Sequence, residues 1–151
     1  MNDQIQKLEP ENYHKCNNIW DMSQCPETVK KWYDELLSGN RVIFVYVEDG
    51  AYLGEGALVF DTGDPDYTIP NQRVYLSRML TKPECQNRGI GGKLIDALVD
   101  YAKKLGYREI TVGVDIANVG ARWLYEKKGF TKIIFVGEDA GGKYVKLLKP
   151  L

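Results

Sequence analysis

The residues best placed to do chemistry are Gln86-Asn87-Arg88-Gly89-Ile90-Gly91-Gly92, which lie between a strand-like run at 74–80 and a periodic helix reaching about Leu105. A glycine-rich turn that opens a helix is an anion site. The N–H groups of the first helical turn have no intrahelical acceptor, the dipole places positive charge there, and glycine lets an oxygen approach the backbone closely. The spacing excludes two common phosphate loops. A Walker A loop needs glycine at 87 and Ser or Thr at 94, where the chain has Asn87 and Leu94. A G-x-G-x-x-G dinucleotide fingerprint begun at Gly89 also fails at Leu94.

The pattern that fits is Q/R-x-x-G-x-G/A, filled by Gln86, Gly89 and Gly91 after Pro83-Glu84. Farther along, Asn118, Ala121, Leu124, Tyr125 and Lys128 lie at helical spacing and end in Gly129-Phe130. There Asn118 reads as an N-cap and Gly129 as the residue past the last turn. Together, in this order, the two segments resemble the GNAT superfamily of acetyl-CoA-dependent N-acetyltransferases. The motif likeness covers residues 74–132; the rest is similar by pattern of elements.

The resemblance implies a site. Gln86, Asn87, Arg88, Gly89, Ile90, Gly91, Gly92 and Lys93 would hold the coenzyme A pyrophosphate, mainly through the backbone amides of 88–93. The fold is implied to splay the strand ending near Leu80 from the one ending near Val114, with acetyl-CoA, the co-substrate, wedged between them. Backbone groups of Met79, Leu80 and Thr81 would bond the pantetheine arm as a strand edge does, and one N–H would polarise the thioester carbonyl. Asn118 would offer its side-chain amide to the same arm, in competition with its capping role.

Acetyl transfer to an amine requires the attacking ammonium to lose a proton and the departing thiolate to gain one. Tyr125 matches the family's tyrosine, and a phenol of pKa about 10 is a competent donor to a thiolate of similar basicity. A packed tyrosine that only orients the sulfur is the other reading. Deprotonating an amine of pKa about 10.4 at neutral pH costs about 4 kcal/mol, so a base is needed. The strand at 74–80 carries no carboxylate. Glu55, between Gly54 and Gly56 in the preceding strand, is the nearest candidate, with a water chain from Glu55 or Asp115 as the fallback. A strand glutamate in that setting also reads as solvent-facing. His14 is the only histidine, reads as a surface residue, and cannot build a histidine-paired metal site or a Ser-His-Asp triad. No metal is expected. Cys85, beside the loop, could be unusually acidic near a helix N-terminus.

These residues must be positioned by the elements around them. A short strand at 4–8 precedes a helical pattern from Pro10 to about Met22, and Pro26 starts a second helix that Gly39-Asn40 ends. Runs at 41–48 and 51–60 flank Asp49-Gly50, the strongest short hairpin signal. Residues 61–72 read as a loop into the strand from Arg73; then come the loop-borne helix, a strand at 108–114, the Asn118 helix, and a final pair around Gly141-Gly142. The order β-α-α-β-β-β-α-β-α-β-β is α/β. It is similar to the GNAT-like acyl-CoA N-acyltransferase fold, a mixed, mostly antiparallel central sheet flanked by helices.

With 151 residues, 44% hydrophobic and 27% charged, residues 1–151 suit one domain. A net charge of −1 gives no bulk attraction for nucleic acid. Cys16, Cys25 and Cys85 are odd in number with no C-x-x-C pair, which argues against a disulfide framework or zinc site and for a reducing cytoplasm. The polar opening Met-Asn-Asp-Gln and the absence of a long apolar run predict no membrane span. The expected activity is N-acetylation of a primary amine on a small molecule or peptide. The rivals are a non-catalytic acyl-CoA-binding or sensing module and a protein acetyltransferase. Trp20, Trp32, Tyr33, Tyr67 and Tyr75 could line an acceptor pocket or be core, and Asp61, Asp64 and Asp66 suit either a cationic amine or a solvated loop. Family members often pair, so the resemblance admits a homodimer, while the sequence itself leaves the oligomeric state open.

Overall fold

The computed structural model describes residues 4–151; Met1-Asn2-Asp3, most of the polar opening, lies outside them. Strand β1 (Ile5–Lys7) is followed by 3-10 segments Pro10–Asn18 and Met22–Gln24, α1 (Pro26–Ser38), β2 (Arg41–Glu48), β3 (Ala51–Val59) and β4 (Arg73–Thr81). A 3-10 turn (Pro83–Cys85) leads to α2 (Ile90–Lys104), β5 (Glu109–Asp115), α3 (Val119–Lys127), β6 (Lys132–Asp139) and β7 (Gly142–Pro150). The strands form one mixed sheet, in the order β1-β2-β3-β4-β5-β7-β6. This is the α/β fold the element order predicts.

One element differs from expectation. The first helical segment is 3-10, not α. Its end is asparagine-rich, and those side chains serve backbone groups outside a helical ladder: Asn17 Oδ1 accepts from Met22 N at 3.0 Å, and Asn18 Nδ2 donates to the Tyr52 carbonyl at 2.8 Å.

The chain divides into two compact units, the cuts passing at the last residue of β3, within β4 and within α2. The first holds the residues up to Leu58 and Arg78–Leu98. Every β2 residue from Arg41 to Tyr46 is buried, as in a strand covered on both faces. Ile43, Val45 and Ala57 join Leu8, Tyr13, Cys16, Ile19 and Leu36 in one core, against which Trp20 and Trp32 pack. The other face lies under α2. A Cβ at Gly54 would stand 2.8 Å from Ile90 Cγ2 and 3.3 Å from Leu94 Cδ1, and one at Gly56 would meet the Met79 sulfur and Leu98. Neighbouring strand residues point to opposite faces, so Glu55 is aimed at the 3-10 and α1 layer. The β2–β3 turn has Asp49 at φ 51° and Gly50 at φ 80°, the two left-handed residues of a type I′ hairpin.

The second unit holds Val59–Ser77 and Val99–Leu151. Here β5 pairs antiparallel with β7 from Glu109↔Pro150 to Asp115↔Tyr144, but parallel with β4 only from Arg73↔Glu109 to Tyr75↔Thr111. The loop before β4 is fastened to β7. Lys146 Nζ, on a side chain only 9% exposed, donates to Asp64 Oδ2 and Asp66 Oδ2, each at 3.0 Å. It also lies 4.7 Å from the Tyr67 ring centroid and 4.6 Å from that of Phe135. Asp64 and Asp66 are therefore neither a free cation site nor simply solvated, because the chain's own lysine occupies them.

Candidate active site

The glycine loop lies in the first unit. Asn87 and Gly89 both take left-handed backbone (φ 65° and 79°), and a Cβ placed at Gly89 would meet nothing within 4 Å. Lys93 N donates to the Gly89 carbonyl at 3.1 Å, the first bond of α2. Gly89 thus stands at the cap position, where it has no side-chain oxygen for the N–H groups of the first turn. Donors at such a helix start suit a pyrophosphate, and the space a Cβ of Gly89 would take is open. Arg88 is drawn aside to Glu48 Oε2 at 2.6 Å, and Lys93 Nζ sits 5.7 Å from the Tyr46 ring centroid. Cys85 is buried. Just upstream, Met79, Leu80 and Thr81 form the end of β4, and Lys82 N donates to the Leu53 carbonyl at 2.8 Å.

On the opposite face of β3 stands a cluster that sequence reasoning caught only in part. Glu55 is 3% exposed, not solvent-facing. Its Oε1 lies 3.7 Å from Arg78 Nε, an ion pair too long for a hydrogen bond. Arg78 has φ 51°, left-handed backbone inside a strand, a conformation that costs about 1–3 kcal/mol in a non-glycine residue. Its guanidinium carbon is 4.2 Å from the Trp20 ring centroid and 5.1 Å from that of Trp32. Arg41 covers Trp32 at 4.6 Å and pairs with Glu35 at 3.5 Å. Tyr13 and Cys16 complete the wall, both buried.

Four polar atoms of this cluster, Tyr13 Oη, Trp20 Nε1, Glu55 Oε1 and Arg78 Nε, are buried with no partner at full hydrogen-bond geometry, although the Trp20 N–H and the Cys16 thiol both face the Glu55 carboxylate and help hold its charge. Native structures hold few such atoms, so four in one cluster stand out, and each costs about 1–3 kcal/mol if nothing fills the site. Burial raises the Glu55 carboxyl above the ordinary glutamate range, with the Arg78 guanidinium opposing it. The Tyr13 phenol and Cys16 thiol are pushed up, chiefly by burial and then by the Glu55 charge, so both stay protonated. A carboxylate of raised basicity facing fixed donors can take a proton from an amine. Tyr13 also lines a cleft of about 830 Å³ whose walls include Met22, Val29 and Tyr33. Exposed His14 edges the same cleft.

The remaining expected residues lie in the second unit. Asn118 caps α3, its Oδ1 accepting from Ala121 N at 3.2 Å, so its side-chain oxygen is engaged. Tyr125 is buried and packs edge-on against Phe130, with ring centroids 5.7 Å apart. Burial, then Tyr75, raises its phenol above the ordinary range. Asp115 is exposed at the end of β5. Among the described residues, no group of three His, Cys, Asp or Glu side chains could hold a metal ion, and no helix is long and apolar enough to cross a membrane. Arg78 and Arg41 were missed from the sequence; the signal in hand was one cation within the otherwise uncharged run 74–80.

A model of the acetyltransferase (GNAT) family matches residues 3–130. An uncharacterised N-acetyltransferase of Bacillus subtilis, YhfO, is 31% identical over 91 residues, 59% of this chain and 58% of that protein. One from Methanocaldococcus jannaschii is 36% identical over 55 residues, 36% of this chain and 24% of the other. The chain thus matches less than two thirds of the length of either relative. Among solved structures, the Escherichia coli ribosomal-protein-S18-alanine N-acetyltransferase superposes with TM-score 0.78 at 18% identity, over 97% of this chain and 92% of that one. The PaiA N-acetyltransferase of Thermoplasma acidophilum, solved with coenzyme A, gives 0.70 at 20% identity over 100% of both chains. At these identities the likeness is one of fold.

Proposed function

Because the chain belongs to the GNAT family of N-acetyltransferases, we propose that it moves the acetyl group of acetyl-CoA directly to a primary amine of a small molecule or peptide. The observation that carries this is Gly89 at the cap position of α2, where it brings no side-chain oxygen to the N–H groups of the first turn and a Cβ would meet nothing within 4 Å. In the proposed reaction the amine nitrogen attacks the thioester carbonyl, the C–S bond breaks, and the nitrogen's proton passes to Glu55, directly or through water. Tyr125 returns a proton to the sulfur. A phenol held above its ordinary range is always loaded with its proton, and a thiolate released in a dry site is likewise more basic, so donor and acceptor stay matched. Asn118 keeps its amide N–H for the pantetheine arm while its oxygen caps α3. Three free cysteines support a reducing, cytoplasmic setting, and pairing of two copies carries over from the resemblance as part of the same proposal.

The test is acetyl-CoA-dependent thiol release with a panel of amino acids, polyamines, aminoglycosides and peptides, with the acetylated product identified by mass. Turnover on one amine class supports the reading. Tight acetyl-CoA binding with no turnover on any amine would instead favour a sensing module.

A further inference from the structure

We propose that the acceptor is an α-amino acid, held through its carboxylate by Arg78 while its amine faces Glu55; this rests on the acetyltransferase reading above. Arg78 is not placed as a simple counter-ion to Glu55. A cation serving only as counter-ion to a buried carboxylate closes on it at hydrogen-bond distance, yet here Nε and Oε1 stand 3.7 Å apart and neither atom has a hydrogen-bond partner. The guanidinium lies against the rings of Trp20 and Trp32, which meet edge-on at 64°, and is carried by strained backbone, so it is pre-organised. Its side chain is still 28% exposed, against 4% for Glu55. A rigid planar fork with a free N–H is what carboxylate recognition uses.

The pair also sets a length. An acid and a base separated by little more than a hydrogen bond match a ligand whose amine and carboxylate share one carbon. Such a zwitterion replaces one loose internal ion pair by two charge-assisted bonds, and brings a donor to Glu55 Oε1 and an acceptor to Arg78 Nε. The hydroxyl of Tyr13 adds a further donor, while the N–H of Trp20 is directed at Glu55 itself. A polyamine or aminoglycoside has no carboxylate for Arg78, and a peptide N-terminus has an amide where the carboxylate is needed.

The experiment is calorimetric titration of the protein, alone and saturated with coenzyme A, with the common L-α-amino acids and, for each binder, its amide and its decarboxylated amine. Phenylalanine, phenylalaninamide and phenethylamine form one such set. The expected result is binding of at least one amino acid, with the amide and amine weaker by about 10- to 100-fold. In Arg78→Gln that preference collapses to near unity, while Arg78→Lys keeps part of it; Glu55→Gln weakens amino acid and amine alike. Amines binding as well as their parent amino acids, or no amino acid binding at all, overturns the inference. Coenzyme A binding is read separately, so a protein that takes amino acids but no coenzyme A would sink the acetyltransferase reading and with it the acceptor role, whereas coenzyme A binding without any amino acid preference would sink this inference alone.

Discussion

Glu55 and Tyr125 carry the proposed proton transfers, and each has a distinct signature. Burial raises the Glu55 carboxyl, so the base form is lost as pH falls through a point above the usual glutamate range. The acid limb of kcat/KM should therefore lie above that range. Glu55→Gln, which keeps the shape, should abolish that limb and lower kcat about 100-fold or more, read from a pH–rate profile of both proteins. An unchanged limb would assign the proton to another group. The same shift sets the sign for stability. A carboxyl raised on folding contributes fully at pH below its unfolded value, and that contribution is lost as pH rises through the folded one. For Tyr125→Phe, kcat should drop about 100-fold with little change in acetyl-CoA affinity, since only the hydroxyl is removed. Equal kcat in single-turnover kinetics would reduce Tyr125 to packing.

At the scale of elements, the glycines of β3 and the lysine of β7 explain why the site elements stay where they are. Gly54 lets Ile90, the first residue of α2, press onto the strand. Ile90 is β-branched and stiff, so Gly54→Ala should push the helix start and cost about 1–3 kcal/mol in urea unfolding. Acetyl-CoA binding should weaken with it, because the loop feeds that helix. Lys146→Met removes the fastening of the loop before β4. The two aspartates it leaves are half in water (39% and 42% exposed), so the loss should be about 1–2 kcal/mol, less than for a fully buried pair. A double-mutant cycle with Asp64→Asn would show coupling between the two positions. Several elements were legible in sequence for physical reasons that the structure repeats. Asp49-Gly50 demanded a type I′ turn, Pro26 and Gly39 bracketed α1, and the spacing from Ile90 to Ala102 marked α2. The 3-10 character of the Pro10–Asn18 segment was not legible, because it depends on what Asn17 and Asn18 bond across the fold.

For the molecule as a whole, local backbone rules carry the family-level reading, while the acceptor chemistry depends on long-range packing. The loop at 86–92 could be read because its function is in its own backbone and spacing. Glu55 stood out as a strand carboxylate, but its burial follows from helices covering both faces of β3, and Arg78's left-handed backbone has no sequence signal. Lys146 shows the same limit, since an acidic loop looks available until a lysine 80 residues later along the chain is found holding it. The central claim is that an acyl-CoA pyrophosphate sits on the start of α2. Its most direct test is calorimetric binding of coenzyme A to the wild-type protein and to Gly91→Glu. A carboxylate in the first helical turn favours the helix dipole, so the variant should fold at least as well as wild type. It should also repel the pyrophosphate. The account predicts one-to-one binding by the wild type and a loss of about 100-fold or more in the variant. Equal affinity of the two proteins, or no binding by the wild type, would contradict it.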